Sequence, residues 1–546
     1  MMQRNVIRMV SMALALMLAL CQAAGAEVRY PLNEHGEAIV NDVVFTGDGG
    51  SCGNARVFYE IFVGSFSDSN GDGVGDLRGI INRMDYLNDG DPGSGVSLGV
   101  EGIWLTPVFA SPSYHKYDIA DYYAIDPAFG TMDDLRELIE LCHARGVKLI
   151  LDLAINHTSL EHPWFRHFKN AHLMNNDQSI YYDYYSWCEA GSTYPAGRRF
   201  NPLSGTKIAY ECNFSSSMPE LNYDNPAVRQ AVLEVAKYYL DMGVDGFRFD
   251  AAKYLYMGDN EKCADFWTWF TGELRAIRPE IYLVAEVWDS DGVTDRYVPA
   301  LNCFNFTTSQ TSGLIAATAK QGKVGVYMHY IDSYLDEIHA LNPDAMYLPF
   351  IANHDTDRAA GYLTVASGNM KLAANLYILT PGSPFIYYGE EIGLRGSRGA
   401  ANTDANRRLA MLWGDGDTVR DPIGATYEAK NQTPYAVADL LGISDSIYNY
   451  YKRLLMIRRA NPEIASGTFT VLEQLPDEKL GGFVAAQGDS RAAVLHNTTL
   501  RDMTVVLADT QGLEAFTTLA AAIGVGNASL ENGVLTIEAQ TSVVLR

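Results

Sequence analysis

Residues 225–250 read NPAVRQAVLEVAKYYLDMGVDGFRFD, and the pattern of this stretch decides the fold. Asn225 followed by Pro226 opens a helix, since proline at the first helical position has no N–H to leave unsatisfied. Val228, Val232, Val235 and Tyr239 recur at helical spacing, so the helix has one apolar face, and Gly243 stops it. The chain is then delivered into Gly246-Phe247-Arg248-Phe249-Asp250, a short apolar run that ends in a carboxylate. A helix feeding a buried strand is the repeating half of a βαβ unit.

The same alternation extends in both directions. Short apolar runs occur at Val57–Val63, Gly102–Pro107, Val147–Ile155, Gly246–Asp250, Ile281–Val287, Cys303–Phe306, Tyr347–Asn353 and Pro384–Tyr388. Eight such runs are enough to close a barrel of parallel strands. Between the second and third, Thr131 can cap a helix with Asp134 three residues on, and Leu135, Leu138, Ile139 and Cys142 share its apolar face before Gly146. The period disappears between His157 and Asn222, a stretch too long to be a bare loop, so residues 158–222 read as a small inserted domain. After the helix Ile447–Arg459 the runs shorten to Gly482–Ala486, Ala492–Leu495 and Val505–Leu507, the pattern of antiparallel strands. The expected fold is α/β: a (β/α)8 TIM barrel over residues 27–157 and 223–460, an inserted domain after the third strand, and a C-terminal antiparallel β-sandwich over 461–546.

A chain of 546 residues exceeds one bare barrel and accommodates both additions. Residues 1–26 read as a secretory signal, with Arg4 and Arg8 ahead of the apolar segment Met9–Leu20 and the small residues Ala24-Gly25-Ala26 at the cleavage site. A secreted, extracellular protein is therefore expected. Lipoprotein anchoring at Cys21 stays open, although Leu20 is bulkier than the small residue such a signal needs. The six cysteines beyond it are too scattered for a disulfide scaffold; Cys188 and Cys212, both in the insertion, are the expected pair if one forms. A formal charge of −25 opposes binding to nucleic acid or anionic membrane and suits a neutral substrate. No run after the leader is long and apolar enough to span a bilayer, and a monomer is expected.

In a parallel barrel the C-terminal strand ends carry the chemistry. Four are loaded: Asp152–His157 (DLAINH), Arg248-Phe249-Asp250, Ala285-Glu286-Val287-Trp288 and Asn353-His354-Asp355. Taken singly, an Asp closing a strand is often the next helix's cap and a His there is often satisfied by backbone. Together they deliver carboxylates, an arginine and two histidines to one rim.

These stretches, with Lys253 completing GFRFDAAK, resemble the four motifs of the α-amylase family of glycoside hydrolases, in order and at suitable separations. Gly102–Pro107 leading to Tyr114–Tyr122, and Gly382–Gly393 (GSPFIYYGEEIG), are similar to the family as well. The resemblance implies Asp250 as nucleophile, Glu286 as general acid and then base, and Asp355 as a transition-state stabiliser gripping sugar hydroxyls, with retention of configuration. It implies sugar contacts from His157, His354, Tyr117 and Asp118, with Arg248 holding the nucleophile ionised and Lys253 on the leaving-group side. Clustering with Asp250 and Asp355 would raise the pKa of Glu286 by like-charge repulsion.

Asp68, Asn70, Asp72, the carbonyl of Val74 and Asp76 stand at positions 1, 3, 5, 7 and 9 of a calcium-type loop, with Gly73 at position 6 but Gly79 where a bidentate Glu would complete it. Similar loops recur in the family, so structural Ca2+ is expected. A second ion, held in many amylases by Asn156, is put in doubt by Glu220 in MPELN, where the family usually has Asp. MPELN resembles members intermediate between oligo-1,6-glucosidases and neopullulanase-like amylases. The resemblance favours endo-acting hydrolysis of α-1,4 bonds in starch and maltooligosaccharides; the alternatives are an exo-acting α-glucosidase or oligo-1,6-glucosidase, and a 4-α-glucanotransferase. A pair between Asp118 and Arg358 would wall off the non-reducing end and favour the exo reading. Aromatics of the insertion, Trp164, Tyr181, Tyr182, Tyr184, Tyr185 and Trp187, could line a sugar cleft, about half of them serving as local core instead. The non-enzymatic transporter-associated relatives of the fold lack a complete carboxylate triad and carry a membrane helix; this chain has the triad and lacks such a helix.

Overall fold

The structure, a computed structural model, describes residues 30–45 and 53–546. The leader, Cys21 and Cys52 lie outside the described residues. No described helix is long and apolar enough to cross a membrane.

Seven of the eight runs form parallel strands of one curled sheet. In spatial order they are Phe385–Tyr387, Phe58–Ile61, Gly102–Leu105, Lys148–Leu153, Gly246–Phe249, Tyr282–Ala285 and Asn302–Cys303. The seventh run makes only an isolated parallel bridge, Phe350 to Phe385. It still closes the barrel: Asn305 donates to the Leu348 carbonyl at 3.1 Å on one side, and Phe385 to the Pro349 carbonyl at 2.9 Å on the other. Pro349 lacks a backbone N–H, so a full ladder cannot form there. The result is a (β/α)8 barrel.

Strand parity sorts the side chains. Phe58, Trp104, Ile150, Tyr282, Val284, Phe304, Leu348, Phe350 and Phe385 form one buried cluster, the floor inside the barrel. Alternate residues such as Tyr59, Ile103, Leu151, Phe247 and Leu283 join the larger cluster shared with the helices. Counting by twos from the floor reaches Glu60, Asp152 and Glu286, and Arg248 lies beside Asp152 in register. Gly246 is glycine for a packing reason, since a Cβ there would lie 1.8 Å from the Tyr282 carbonyl oxygen. Arg248 occupies the next inward position on that strand, its guanidinium 5.1 Å from the Trp104 ring centroid.

The helix Pro226–Met242 starts with Asn225 accepting from Ala227 N–H and ends at Gly243 with φ +117°. Its buried Val228, Val232, Val235 and Tyr239 each contribute about 1.5–3 kcal/mol of transfer free energy. The helix Met132–Ala144 carries the full capping box between Thr131 and Asp134.

Between the third and fourth strands lie the helix Pro163–Leu173 and a three-stranded antiparallel sheet, with Ile208–Glu211 between Trp187–Glu189 and Phe200–Pro202. The expected disulfide is not formed; Cys188 and Cys212 are free thiols. Cys188 pairs across the sheet with Ala209. Cys212 stands three residues further on, an odd step that turns it to the other face roughly 10 Å along, beyond disulfide reach. At the C-terminus a five-stranded and a three-stranded antiparallel sheet enclose a common core, with Leu495 and Val543 from one meeting Val505 and Leu535 from the other.

Candidate active site

A cleft of about 600 Å³ opens at the C-terminal ends of the strands, and Asp250, Glu286 and Asp355 all line it. Asp250 follows the fourth strand directly, and the next residue, Ala251, adopts a left-handed conformation at φ +49°. A non-glycine residue held there stores roughly 1–3 kcal/mol, strain of the kind concentrated at functional sites. The tight turn aims the Ala251 N–H at Glu286 Oε2, 3.2 Å away.

Arg248 organises the carboxylates. It is fully buried, and its Nη1 bonds Asp250 Oδ1 at 2.8 Å and both oxygens of Asp152 at 3.0 Å. Its Nη2 lies 2.9 Å from Glu286 Oε2, close enough for charge but out of line for a hydrogen bond. Burial pushes the Glu286 carboxyl up to about 7, Arg248 opposing and the charges of Asp250 and Asp355 adding. The expected like-charge repulsion is therefore present but secondary to desolvation. Burial also raises Asp250 above its ordinary value, against Arg248. Asp250 takes the aligned guanidinium bond and Glu286 does not, so of the two Asp250 is the better-stabilised anion.

Asp355 is held on both oxygens, Oδ2 lying 3.0 Å from His354 Nε2 and Oδ1 accepting from Arg408 at 2.7 Å. Burial works to raise this carboxyl, but His354 and Arg408 overcome it and hold it well below the usual range. His354 shows the converse: burial disfavours its charge, yet Asp355 and Glu60 push it up to about 10. As an imidazolium it donates Nδ1–H to Glu60 and turns Nε2–H toward Asp355 and the Tyr117 oxygen, while Tyr117 donates to Asp152.

Of the other residues singled out from sequence, Tyr117 and His157 line the cleft. Burial lowers His157 to about 4, keeping it neutral. Asn156 Nδ2 approaches its Nδ1 at 3.2 Å, and the Tyr117 backbone carbonyl lies against the ring. His354 is displaced from its expected position: with no exposure and both nitrogens engaged, it braces Asp355 from below. Asp118 and Arg358 do not pair. Asp118 accepts the hydroxyls of Ser111 and Ser113. Arg358 bonds the carbonyls of Tyr388 and Arg407 and lies over the rings of Tyr387 and Tyr388. Neither lines the cleft: Asp118 is held by serines of its own loop, and Arg358 by carbonyls of the segments that follow the last strand. Lys253 is tied to the Trp288 carbonyl at 2.7 Å and to Asp289 at 2.8 Å.

The structure adds Arg408 and Tyr114, joined at 3.1 Å at the Asp355 end of the cleft, and Phe214, Tyr254 and Trp288 at the Glu286 end. Trp288 is 41% exposed and stacks on Phe306 at 4.9 Å. Glu60 and Asp152 could have been found by counting strand parity. Arg408, on the long loop after the last strand, has no sequence signal of its own.

In the Asp68–Asp76 loop the donors are all hard oxygens, and Gly71 and Gly73 sit at φ +84° and +94° to make its sharp turns, so the residues fit calcium chemistry. As folded, Asp68 accepts Gly71 and Gly73 N–H, Asp72 accepts Val74 N–H, and Asp76 caps the helix Leu77–Asn82 through Gly79 N–H. Among the described residues no three acidic, His or Cys side chains gather on one point. At Asn156, the longer Glu220 side chain takes the amide Nδ2 as a hydrogen-bond donor.

Comparison with known proteins agrees with this geometry. The family model described as Alpha amylase, catalytic domain, matches residues 60–467. Alpha-amylase 3 of Dictyoglomus thermophilum is 36% identical over 450 residues, covering 81% of this chain and 84% of that protein. A 4-alpha-glucanotransferase of Thermotoga neapolitana is 34% identical over 357 residues, 63% of this chain and 74% of the relative. The solved structure of Eubacterium rectale Amy13B superposes with a TM-score of 0.83 at 32% identity, over 95% of this chain and 99% of that one. With the barrel, the carboxylates at its mouth and these matches in agreement, the chain belongs to the α-amylase family and is a glycoside hydrolase.

Proposed function

We propose that the chain is a retaining α-glucan hydrolase that cleaves α-1,4 bonds within starch and maltooligosaccharide chains. The observation that carries this reading is the arrangement around Arg248: an anionic Asp250 on the guanidinium, facing the same cleft as a Glu286 whose carboxyl titrates near 7. Glycosidic cleavage through an oxocarbenium-like state needs that pair. Asp250 attacks the anomeric carbon as Glu286 gives its proton to the leaving oxygen. Glu286, now a carboxylate, takes a proton from water as that water displaces Asp250 and restores the starting configuration. Asp355 grips the sugar hydroxyls and adds negative charge near the developing cation, while Tyr117 and His157 line the place the sugar takes.

Endo action is supported by a cleft that continues past Glu286 to the aromatic side chains of Phe214, Tyr254 and Trp288, enough surface for sugars on the leaving side. Exposed Trp288 also favours a second reading, transfer of the glycosyl group to a sugar acceptor, the activity named for the Thermotoga relative. We further propose that the Asp68–Asp76 loop holds a structural calcium ion, and that the protein is exported, on the strength of residues 1–26 alone. Incubation with starch, maltose, isomaltose and pullulan, following product size and anomer, tests the main reading. α-Anomeric oligosaccharides released early from starch are expected. β-Anomers at first release, or action on maltose and isomaltose alone, would overturn it.

A further inference from the structure

Beyond the last strand, the segment 396–407 carries Asn402, Thr403 and Asp404 to the rim of the catalytic cleft and leads directly into Arg408. Its regular structure is a single short turn, Asp404–Arg407. One residue holds both of its ends. The Arg358 backbone N–H donates to the Gly396 carbonyl at 2.9 Å, and the Arg358 Nε donates to the Arg407 carbonyl, also at 2.9 Å. Nη1 reaches a third point, the Tyr388 carbonyl just past the strand, at 2.6 Å. The two ends come so close that a Cβ on Gly396 would lie 2.2 Å from the Asn406 carbonyl oxygen and 3.3 Å from Arg358 Cδ. Tyr387 adds its hydroxyl to the Arg407 carbonyl at 3.1 Å. Burying a guanidinium is costly, and Arg358 is 2% exposed. Its bonds go to backbone carbonyls on separate stretches of chain, so it is used as a rigid fork that fixes geometry.

We propose that Arg358 is a positioning residue for the glycosidic reaction: by closing the segment 396–407 at both ends, it sets Arg408 against Asp355. The proposal rests on the reading of Asp355 as the residue that grips the sugar and stabilises the transition state. The path from one to the other is short. Arg358 fixes the carbonyl of Arg407, and the next residue, Arg408, donates to Asp355 Oδ1 at 2.7 Å and to the His354 carbonyl at 3.0 Å. Arg407 itself turns back to the Asp355 carbonyl at 2.7 Å. Arg358 follows Asp355 on the same stretch of backbone, so the clamp and the carboxylate it serves keep a common frame. Without the clamp, the chain between Tyr388 and Arg408 is a long loop, and closing such a loop has an entropic cost that Arg408 would meet with its own bonds alone. A misplacement of about 1 Å at a reacting group can cost roughly 100-fold in rate, so a clamp this close to Asp355 acts on turnover as well as on stability.

Arg358→Lys in the full chain tests this. Lysine keeps the charge but, as a point donor, does not bridge the Tyr388 and Arg407 carbonyls. Its kcat on maltoheptaose is expected to fall about tenfold or more. Tyr387→Phe is the milder variant, removing only the second donor to the Arg407 carbonyl; kcat is expected to fall severalfold with the melting temperature within a few degrees of the parent. Should Arg358→Lys fail to fold, Tyr387→Phe carries the test alone. Each is then combined with Arg408→Met. A side chain that acts through Arg408 loses its effect once Arg408 is gone, so in that background each is expected to change kcat by less than about twofold. A brace that only stabilises the fold would lower kcat by the same factor in both backgrounds, and that result, or parental kcat in both single variants, would overturn the proposal. Failure of the catalytic reading would show differently, as parental turnover in Asp355→Asn and Arg408→Met, which would leave Arg358 nothing to position.

Discussion

Glu60 Oε1 lies 2.6 Å from His354 Nδ1, so a carboxylate on the first barrel strand and an imidazole beyond the seventh run share a proton across the mouth. The eighth strand separates the two staves, and only closure of the barrel brings the pair together. Glu60→Gln removes the charge and keeps the shape. His354 is then expected to titrate well below 10, and Asp355 to lose part of the cation that fixes it. A charge-assisted hydrogen bond is worth about 1.5–3 kcal/mol, so kcat should fall roughly 10- to 100-fold with the fold intact. NMR titration of His354 beside steady-state kinetics checks both. Unchanged kcat with a shifted His354 would remove the bracing role.

The pH dependence follows from Glu286 and His354. As general acid Glu286 must carry its proton, so kcat/KM should decline as pH rises through about 7. Stability has its own signs. Between the ordinary carboxylate value of 4.5 and about 7, folded Glu286 binds more proton than the unfolded chain, so its contribution to stability falls as pH rises through that window. His354 is raised by its partners to about 10. Its contribution is complete below 6.5 and is lost as pH rises through 10. An alkaline limb of kcat/KM above pH 9 would contradict the assignment of Glu286.

Asp250→Asn keeps the bond to Arg248 possible through the amide oxygen but removes the attacking anion. Hydrolysis should drop by several orders of magnitude while the melting temperature stays within a few degrees of the parent. Turnover near that of the unmodified protein would end the covalent mechanism.

How far the sequence carries the argument differs by element. The strand-and-helix alternation, Asn225-Pro226 and the Thr131 box were legible because their signals are local: a cap, a period, a stop. The seventh run was legible as an apolar run but not as a bridge, since Pro349 interrupts the ladder. Asp250, Glu286 and Asp355 were legible because the strand-end stretches that carry them together resemble the motifs of the α-amylase family, where each alone reads equally well as a cap. Arg408 was not, because its partner Asp355 is 53 residues away and no pattern links a loop guanidinium to it. The Asp118 and Arg358 pair failed for the same reason in reverse. Two plausible partners can each be satisfied nearer home, by serine hydroxyls and by backbone carbonyls.

The calcium proposal makes a thermal prediction. If the Asp68–Asp76 loop binds the ion in the folded state alone, calcium at about a hundred times its Kd adds about 2.7 kcal/mol of stability. Excess EDTA should then lower the melting temperature by several degrees, Ca2+ should restore it, and Asp72→Ala should abolish the difference. Superimposable melts with and without EDTA would count against an ion there.

The length of chain accepted should be set at the Asp355 end, where Tyr114 meets Arg408. Arg408 is anchored independently, to the His354 carbonyl at 3.0 Å and to Asp355 at 2.7 Å, so removing Tyr114 leaves it in place. The Tyr114 hydroxyl is held there by one bond of 3.1 Å, a closure weak enough for a longer chain to displace. Tyr114→Ala should therefore raise the ratio of activity on starch to activity on maltotriose by about tenfold, the equivalent of roughly 1.4 kcal/mol at the barrier. Tyr114→Phe, which loses the hydroxyl and keeps the ring, should move the ratio only part of the way. Equal ratios in all three proteins would mean that this pair does not close the cleft, and that chain length is decided at the aromatic end, by Phe214, Tyr254 and Trp288.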